Sequence, residues 1–351
     1  MRIALIGNAA SIHTVKWANG LASRGHDVHL ISQDEPAEHR INDTVTQHRL
    51  PHRGTLGYFR NAGPLRRLLA TIRPDVANAH YATGYGTTLA LARPRIPTVL
   101  NVWGSDVNEA PRRSFLHRLW VQANLRRPTR VASTSRSMAD GMAWLLRGRR
   151  PDITPFGIDV DHFSPAESRP SGVVGTVKGL QHDYGIDTLI RAFALLPDTT
   201  RCVIAGQGQE RANLERLAAE LGVADRVEFT GQIPNTEVPD LLRSFDVYVA
   251  LSRNESFGVA ILEAAACGLP TVVSDAPGPA EVVVAGTTGF VVGRDDPQAA
   301  AEAIGKLLAD PSLAHRMGEA GRAHTVANYS WTRCLEIMED VYARAIAGER
   351  N

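Results

Sequence analysis

Glu255 and Glu263 stand eight residues apart, separated by Ser256-Phe257-Gly258 and an apolar run, in a segment that stops at Gly268-Leu269-Pro270. The spacing predicts a loop carrying Glu255, a helix opened by residues 256 to 258, and a glycine-proline stop. A helix start offers unsatisfied N–H groups and the positive end of a dipole to an anion or a sugar hydroxyl. Glu263 falls about two turns inside a mostly apolar helix, where a carboxylate is costly unless it has a partner. Vicinal hydroxyls of a ribose or hexose would suit both carboxylates. Two solvated glutamates flanking a core helix would look the same by spacing alone.

Two other motifs invite chemistry and are set aside. Asp159-Val160-Asp161 has the Asp-x-Asp form of a divalent-metal site, a pattern common by chance, and no metal is assigned. Gly206-Gln207-Gly208 imitates the opening of a dinucleotide-binding turn, but Arg211 stands where the third glycine belongs.

The elements that would position these residues recur along the chain. Short Val/Ile-rich runs, each followed by a turn and a helical pattern, occur at 3–7, 27–32, 76–80, 98–102 and 131–134. They resume at 173–177, 202–205, 227–230, 247–251, 271–274 and 290–292. Repeated strand-then-helix units imply parallel sheets, hence an α/β chain of two similar halves joined near 164–172. Ligands of such sheets sit beyond the carboxyl ends of the strands, here in a cleft between the halves. The last helix is expected over 331–347, with Leu335, Met338, Val341 and Ile346 on its apolar side.

Composition narrows the class further. At 351 residues with 44% hydrophobic and 21% charged residues, the chain is globular and too long for one ordinary core. Cys202, Cys267 and Cys334 are odd in number and lack metal-binding spacing, which favours a reducing cytoplasm over a disulfide framework. The apolar run near 258–273 contains Glu263 and a Gly-Leu-Pro break, and the opening Met1–Asn8 reads as a strand; neither is a membrane span or leader.

Taken together, the strand before Ser252, Ser252 to Gly258, Glu263 and Gly268 to Asp275 resemble the E-x7-E motif of the retaining GT-B glycosyltransferases, specifically family four. The resemblance extends over essentially the whole chain. Gly157-Ile158-Asp159 with Phe163 and Pro165 is similar to that family's interdomain motif, and Phe229-Thr230-Gly231-Gln232 to its base-proximal turn. Pro277-Gly278-Pro279-Ala280-Glu281 replaces the usual Gly-Gly-x-x-Glu, and Tyr329-Ser330-Trp331 begins the helix that crosses back. The resemblance implies a GT-B fold: Rossmann-like domains at 1–165 (acceptor) and 172–330 (donor), with 331–351 packing back on the first.

It also implies roles. Glu255 would touch the donor sugar, Glu263 the ribose, and Ser256, Phe257, Gly258 and Gly231 would line the donor site. Relatives clamp the diphosphate with an Arg and a Lys; here Thr176 and Tyr184 stand in those places, leaving Lys178, one of only three lysines, as the cation. Leaving-group charge needs at least one fixed cation plus helix amides when no metal helps. A solvated lysine after a strand is the plain alternative. In the first half, His13 would donate to phosphate or acceptor, or else cap and pack locally. His80 ends a strand, and Trp103-Gly104-Ser105-Asp106 is similar to the family's active-site loop, with Asp106 facing the acceptor hydroxyl or the developing oxocarbenium charge and His80 in support.

Net charge is +1, but residues 1–165 carry 22 basic against 12 acidic groups and the remainder 16 against 25. A basic acceptor side points to an anionic or membrane-associated acceptor. Residues 112–127 compose a basic helix bearing Phe115, Leu116, Leu119 and Trp120; the aliphatic stripe is read as core, with an interfacial membrane surface as the alternative. Arg66, Arg67, Arg147, Arg149 and Arg150 would extend the basic surface if they converge. The expected activity is transfer from a nucleotide sugar (UDP, GDP or dTDP) to a glycan, lipid-linked or small-molecule hydroxyl, in cell-surface polysaccharide or lipid-linked glycan synthesis. No cofactor, metal or nucleic acid is expected, and the location is cytoplasmic or peripheral at the inner membrane face. Glycosylation of a soluble natural product, nucleotide-sugar epimerisation and an inactive binding subunit remain alternatives.

Overall fold

A computed structural model describes residues 1–36, 41–166 and 172–351. The chain divides into a first unit, Met1–Phe156 with Cys334–Asn351, and a second unit, Gly157–Arg333. The polar stretch at 164–172, read from sequence as the joint, lies partly outside the described residues, namely at 167–171.

In the first unit the Val/Ile runs form β1 (Arg2–Ile6), β2 (Asp27–Ser32), β4 (Val76–His80), β5 (Thr98–Val102) and β6 (Arg130–Ser133). Two edge strands, β3 (Thr46–Arg49) and β7 (Asp152–Ile153), complete a parallel sheet of order β3-β2-β1-β4-β5-β6-β7. β4, β5 and β6 are buried along their whole length, as sheets covered on both faces require. The second unit repeats the plan with β8 (Val173–Val177), β9 (Arg201–Ala205), β10 (Val227–Gly231), β11 (Val247–Ala250), β12 (Thr271–Ser274) and β13 (Gly289–Val292). Its order is β10-β9-β8-β11-β12-β13, again all parallel. In each sheet the chain reverses its direction of progress once, between β1 and β4 and between β8 and β11. Loops diverge there and leave a crevice, the usual place for a ligand in open α/β sheets.

The last helix, Trp331–Ile346, enters the first unit at Cys334. Cys334, Leu335, Met338, Val341, Tyr342 and Ala345 are buried on it, whereas Ile346, expected on the apolar side, is exposed. The Asn78 side chain of β4 donates to the Tyr342 hydroxyl at 2.7 Å, and Arg24 grips Glu339 through two bonds of 2.7 and 2.8 Å. The basic segment expected as one helix over 112–127 breaks at Ser114, whose hydroxyl accepts from the His117 amide. The core placement of its apolar residues holds only in part: Val121 and Leu125 join the buried core with Gln122 and Asn124 beside them, while Phe115, Leu116 and Leu119 face solvent. No helix among the described residues is long and apolar enough to cross a membrane.

Candidate functional site

In the second unit the crevice between β8 and β11 is built by two loops. Lys178 directly follows β8, and Glu255 lies in the loop after β11. The Lys178 ammonium pairs with Glu255 Oε1, their side chains only 8% and 11% exposed, and the Ser252 hydroxyl donates to Oε2 at 2.8 Å. Lys178 also lies over the Tyr184 ring, 5.1 Å from its centroid. The residues the sequence offered as separate cation and carboxylate are therefore one unit, walled by an aromatic ring. Thr176 is fully buried in β8.

The glycines of the dinucleotide-like turn explain how the Lys178 loop is held. A Cβ on Gly206, at φ +144°, would lie 1.9 Å from the Lys178 carbonyl, and one on Gly208 would lie 2.1 Å from that of Leu180. Bare backbone is needed there because the two loops run against each other, joined by Leu180 N–H to the Gln207 carbonyl at 2.9 Å. Gly231, at φ +76°, accepts from the Gly206 amide at 2.8 Å and lies beside Arg211.

Arg253, given no role by the sequence reading, positions the other loop. It is bidentate to Asp187 at 2.7 and 2.8 Å, bonds Asp295 at 2.7 Å, and donates to the His182 carbonyl. A fork with fixed planar geometry suits this anchoring better than an ammonium. Its presence within the motif was the available signal. Gly278 supplies a second clamp: its amide donates to the Glu255 carbonyl at 3.0 Å, and a Cβ there would lie 2.4 Å from the Phe257 nitrogen. Phe257 is buried with its ring 5.9 Å from that of Tyr329, and Ser256 is half-buried. The helix starts later than expected, at Val259, with Gly258 as its cap at φ +109°. Half-buried Glu263 is consequently one turn in, not two. Burial raises the Tyr248 hydroxyl pKa, and the charges of Glu255 and Glu263 raise it further.

In the first unit the corresponding crevice lies between β1 and β4. Gly7 ends β1 so closely against its neighbours that a Cβ would meet Thr14 at 2.8 Å and the His80 Nδ1 at 3.4 Å. His80, at the end of β4, shares a 3.4 Å hydrogen bond with the Thr14 hydroxyl, and its buried Nε2 has no partner among the described residues. Burial, helped by His13, lowers its pKa to about 3. His13 stacks on Phe156 at 4.3 Å and meets Trp103 edge-on at 5.8 Å; burial and Lys16 lower its pKa to about 4. Trp103 in turn lies 4.6 Å from the His80 ring. The two histidines are thus neutral imidazoles in an aromatic box.

Asp106 is fully buried. Its carboxylate accepts from the amides of Ala82 at 2.7 Å, Gly104 at 2.9 Å and Trp103 at 3.2 Å. Burial pushes its pKa up against the pull of those amides. With both oxygens engaged, Asp106 ties the Trp103 loop to the loop after β4, where Tyr81 adopts φ +75°, a strained value for a non-glycine residue. Asp159, from the Asp-x-Asp motif, accepts from the Asp161 and His162 amides and closes a local turn. Among the described residues no group of three or more His, Cys, Asp or Glu is arranged to hold a metal.

Two doubly covered parallel sheets, each with polar side chains gathered at its point of reversal, define a two-domain α/β protein. Glycosyl transferases group 1 matches residues 158–324, and Glycosyl transferase 4-like matches residues 2–135. The chain belongs to the GT-B glycosyltransferases of the family-four-like group. It is 38% identical over 208 residues to the GDP-mannose-dependent alpha-(1-6)-phosphatidylinositol monomannoside mannosyltransferase of Mycolicibacterium smegmatis, a match covering 53% of this chain and 54% of that protein. The chain thus spans about half the length of this relative. Among solved structures, sucrose-phosphate synthase from Thermosynechococcus elongatus superposes with a TM-score of 0.84 over 99% of both chains at 22% identity. Anabaena HepE in complex with UDP does so with 0.81 over 98% of this chain and 100% of that one, at 18% identity. These two likenesses establish the GT-B fold.

Proposed function

We propose that this chain transfers a sugar from a nucleoside diphosphate sugar to a hydroxyl acceptor with retention of anomeric configuration, the second unit holding the donor. The buried Lys178–Glu255 pair at the β8/β11 crevice carries this reading. It sets a fixed cation and a carboxylate side by side next to the helix start at Gly258. Lys178 and the amides of Phe257 and Gly258 would take the diphosphate, Glu255 the sugar hydroxyls, Glu263 the ribose, with Ser256 and Gly231 lining the site. In the transfer, the anomeric C–O bond to phosphate breaks while the acceptor oxygen bonds the same face. The acceptor proton passes to the departing phosphate oxygen. Preorganised charge at the leaving group then supplies much of the acceleration without a metal.

In the first unit, the neutral His13 and His80 would face the acceptor or the reacting sugar as hydrogen-bonding groups. Asp106 holds the loop that presents Trp103. The mannosyltransferase relative uses GDP-mannose and the HepE structure holds UDP. Either base is therefore compatible with this reading, and an acceptor in cell-surface or lipid-linked glycan assembly fits the basic first half. A thermal-shift screen with GDP, UDP, dTDP and their sugars should show one base raising the midpoint in proportion to occupancy. Glu255→Gln should lose at least a hundredfold in transfer, about 2.7 kcal/mol of transition-state stabilisation. Full turnover by Glu255→Gln, or silence from every nucleotide, overturns the reading. The donor sugar recovered after incubation without acceptor should be unepimerised.

A further inference from the structure

Two helices of the first unit, Gly86–Ala92 and Phe115–Arg126, stand apart at the amino end of β5 and enclose a cleft of about 340 Å³. That volume is in the range of small-molecule sites. Leu89, Ala90, Pro94, Leu100 and Pro128 make its walls, and Leu89, Ala90 and Leu100 are buried. The cleft is separate from the β1/β4 crevice. Thr98, on its edge, is the first residue of β5, whereas the crevice lies beyond the carboxyl ends of the strands.

The polar groups of the cleft fall into two sets, and the inner set is already spent. Asn124 donates to the Ala82 carbonyl and the Thr87 hydroxyl, both at 2.9 Å, and the Thr98 hydroxyl accepts from the Thr129 amide at 3.1 Å. A sugar or nucleotide would find little there to bond its hydroxyls, whereas an apolar body suits such walls. The rim, in contrast, is charged and open. Arg93 and Arg127 are exposed, and neither forms an ion pair among the described residues. Arg127 bridges the rim by donating from Nη1 to the Ala90 carbonyl at 2.5 Å. Arg93 is held in the left-handed region at φ +49° just before Pro94, a costly conformation that fixes the turn at the rim. Arg66, expected to extend the basic surface, instead caps the same helix end on the Ala92 carbonyl. Residues 86–100 and 115–130, which build the cleft, contain no acid. A carboxylate is the planar anion that a guanidinium binds through two parallel bonds.

The cleft also shares a residue with the supports of the crevice. Asn124 holds the Ala82 carbonyl, and the Ala82 amide is held by Asp106, which takes the Trp103 and Gly104 amides as well. Ala82 lies in the π-helical turn Tyr81–Tyr85, a rare geometry that recurs at functional sites. A ligand that restrains Asn124 against the helix Gly86–Ala92 therefore restrains the loop behind Trp103 through contiguous bonds.

We propose that this cleft is an effector site for a small carboxylate with an apolar body. The body lies between the two helices, the carboxylate meets Arg93 and Arg127, and occupation stiffens the loop that presents Trp103. The inference does not rest on the reaction assigned above, because no residue of the cleft belongs to the donor crevice.

The test is calorimetric titration of the full chain with 2-naphthoate. Its controls are 2-naphthalenemethanol, the same body without the charge, and acetate, the charge without the body. One naphthoate should bind per chain, about tenfold or more tighter than either control. Arg93→Gln should weaken naphthoate by about threefold or more and leave naphthalenemethanol unchanged. Ala90→Leu, which fills the cleft, should remove saturable binding while the nucleotide-induced thermal shift persists. Hydrogen exchange in peptides covering residues 103–106 should slow with naphthoate in the wild-type chain and stay unchanged in Ala90→Leu. Absence of saturable binding, equal binding of naphthoate and naphthalenemethanol, or unchanged exchange at 103–106 under saturation overturns the proposal. So does full affinity for naphthoate in Arg93→Gln or in Ala90→Leu. Naphthoate binding in a chain whose melting no nucleotide shifts would count against the donor reading and leave this one standing.

Discussion

Lys178 and Glu255 are each the other's neutralising charge in a place where little water reaches either. Removing one partner leaves an uncompensated charge, whereas removing both leaves a polar but neutral crevice. Lys178→Met and Glu255→Gln should each lower unfolding free energy by on the order of 3 kcal/mol, and the double variant should cost clearly less than their sum. Urea midpoints of the four proteins measure this, and strict additivity would contradict the pairing. His80 and His13 make a separate prediction through pH. Their folded-state values near 3 and 4 lie below the ordinary 6.5, so as pH falls below 6.5 the unfolded chain takes up protons that the folded chain refuses. Stability should therefore fall with acidification, by about 2 kcal/mol per histidine at pH near 5. His80→Asn should flatten the slope of denaturant midpoint against pH, and an unchanged slope would show that His80 is not held neutral.

At the scale of elements, the donor-side loops are positioned by glycines whose missing side chains are contacts in their own right. Gly278→Ala puts a methyl within 2.4 Å of the Phe257 nitrogen, which can be relieved only by moving the Glu255 loop. The expected cost is about 1–3 kcal/mol, together with a reduced thermal shift on adding nucleotide. Gly305→Ala is the matched control. It sits within the helix Pro297–Ala309 with open space around it, so the same methyl should stabilise by about 0.5–1 kcal/mol. Should both variants behave alike, the contact argument for Gly278 fails.

For the molecule as a whole, the first unit is completed by residues from the far end of the chain. Cys334, Leu335, Met338, Val341, Tyr342 and Ala345 fill one side of it, Asn78 of β4 bonds Tyr342, and Arg24 bonds Glu339 on the same helix. A chain ended after Arg333 should lose cooperative melting of the first unit, read by near-ultraviolet circular dichroism and limited proteolysis. Retention of a protected first unit by that truncated chain would show that the closing helix is dispensable. Tyr342→Phe is the gentler version, costing about 1–2 kcal/mol because it leaves the Asn78 amide without its 2.7 Å acceptor in the core.

The strand-helix rhythm was legible because strands covered on both faces must be apolar throughout, and β2, β4, β5, β8 and β12 have the bounds the sequence indicates. β3 and β7 were not legible: Thr-Gln-His-Arg is a mostly exposed edge, and Asp152–Ile153 is two residues long, so neither carries an apolar run. The family resemblance was legible because the motif around Glu255 and Glu263, Gly157-Ile158-Asp159, Phe229-Thr230-Gly231-Gln232 and Tyr329-Ser330-Trp331 follow in an order and spacing that the chain itself carries. What rests on partners distant in sequence was not written there: Lys178 facing Glu255 across 77 positions, Arg253 bound to Asp187 and Asp295, Asp106 engaged by three amides. The rotation of Phe115–Arg126 is the clearest case. Its sequence sets Phe115, Leu116, Leu119 and Trp120 beside Val121 and Leu125, and hydrophobicity alone predicts all of them inside. Only the folded neighbours, which offer Asn124 a carbonyl and a hydroxyl to bond, select the face of Val121, Gln122, Asn124 and Leu125 as the inward one and leave Phe115, Leu116 and Leu119 facing outward.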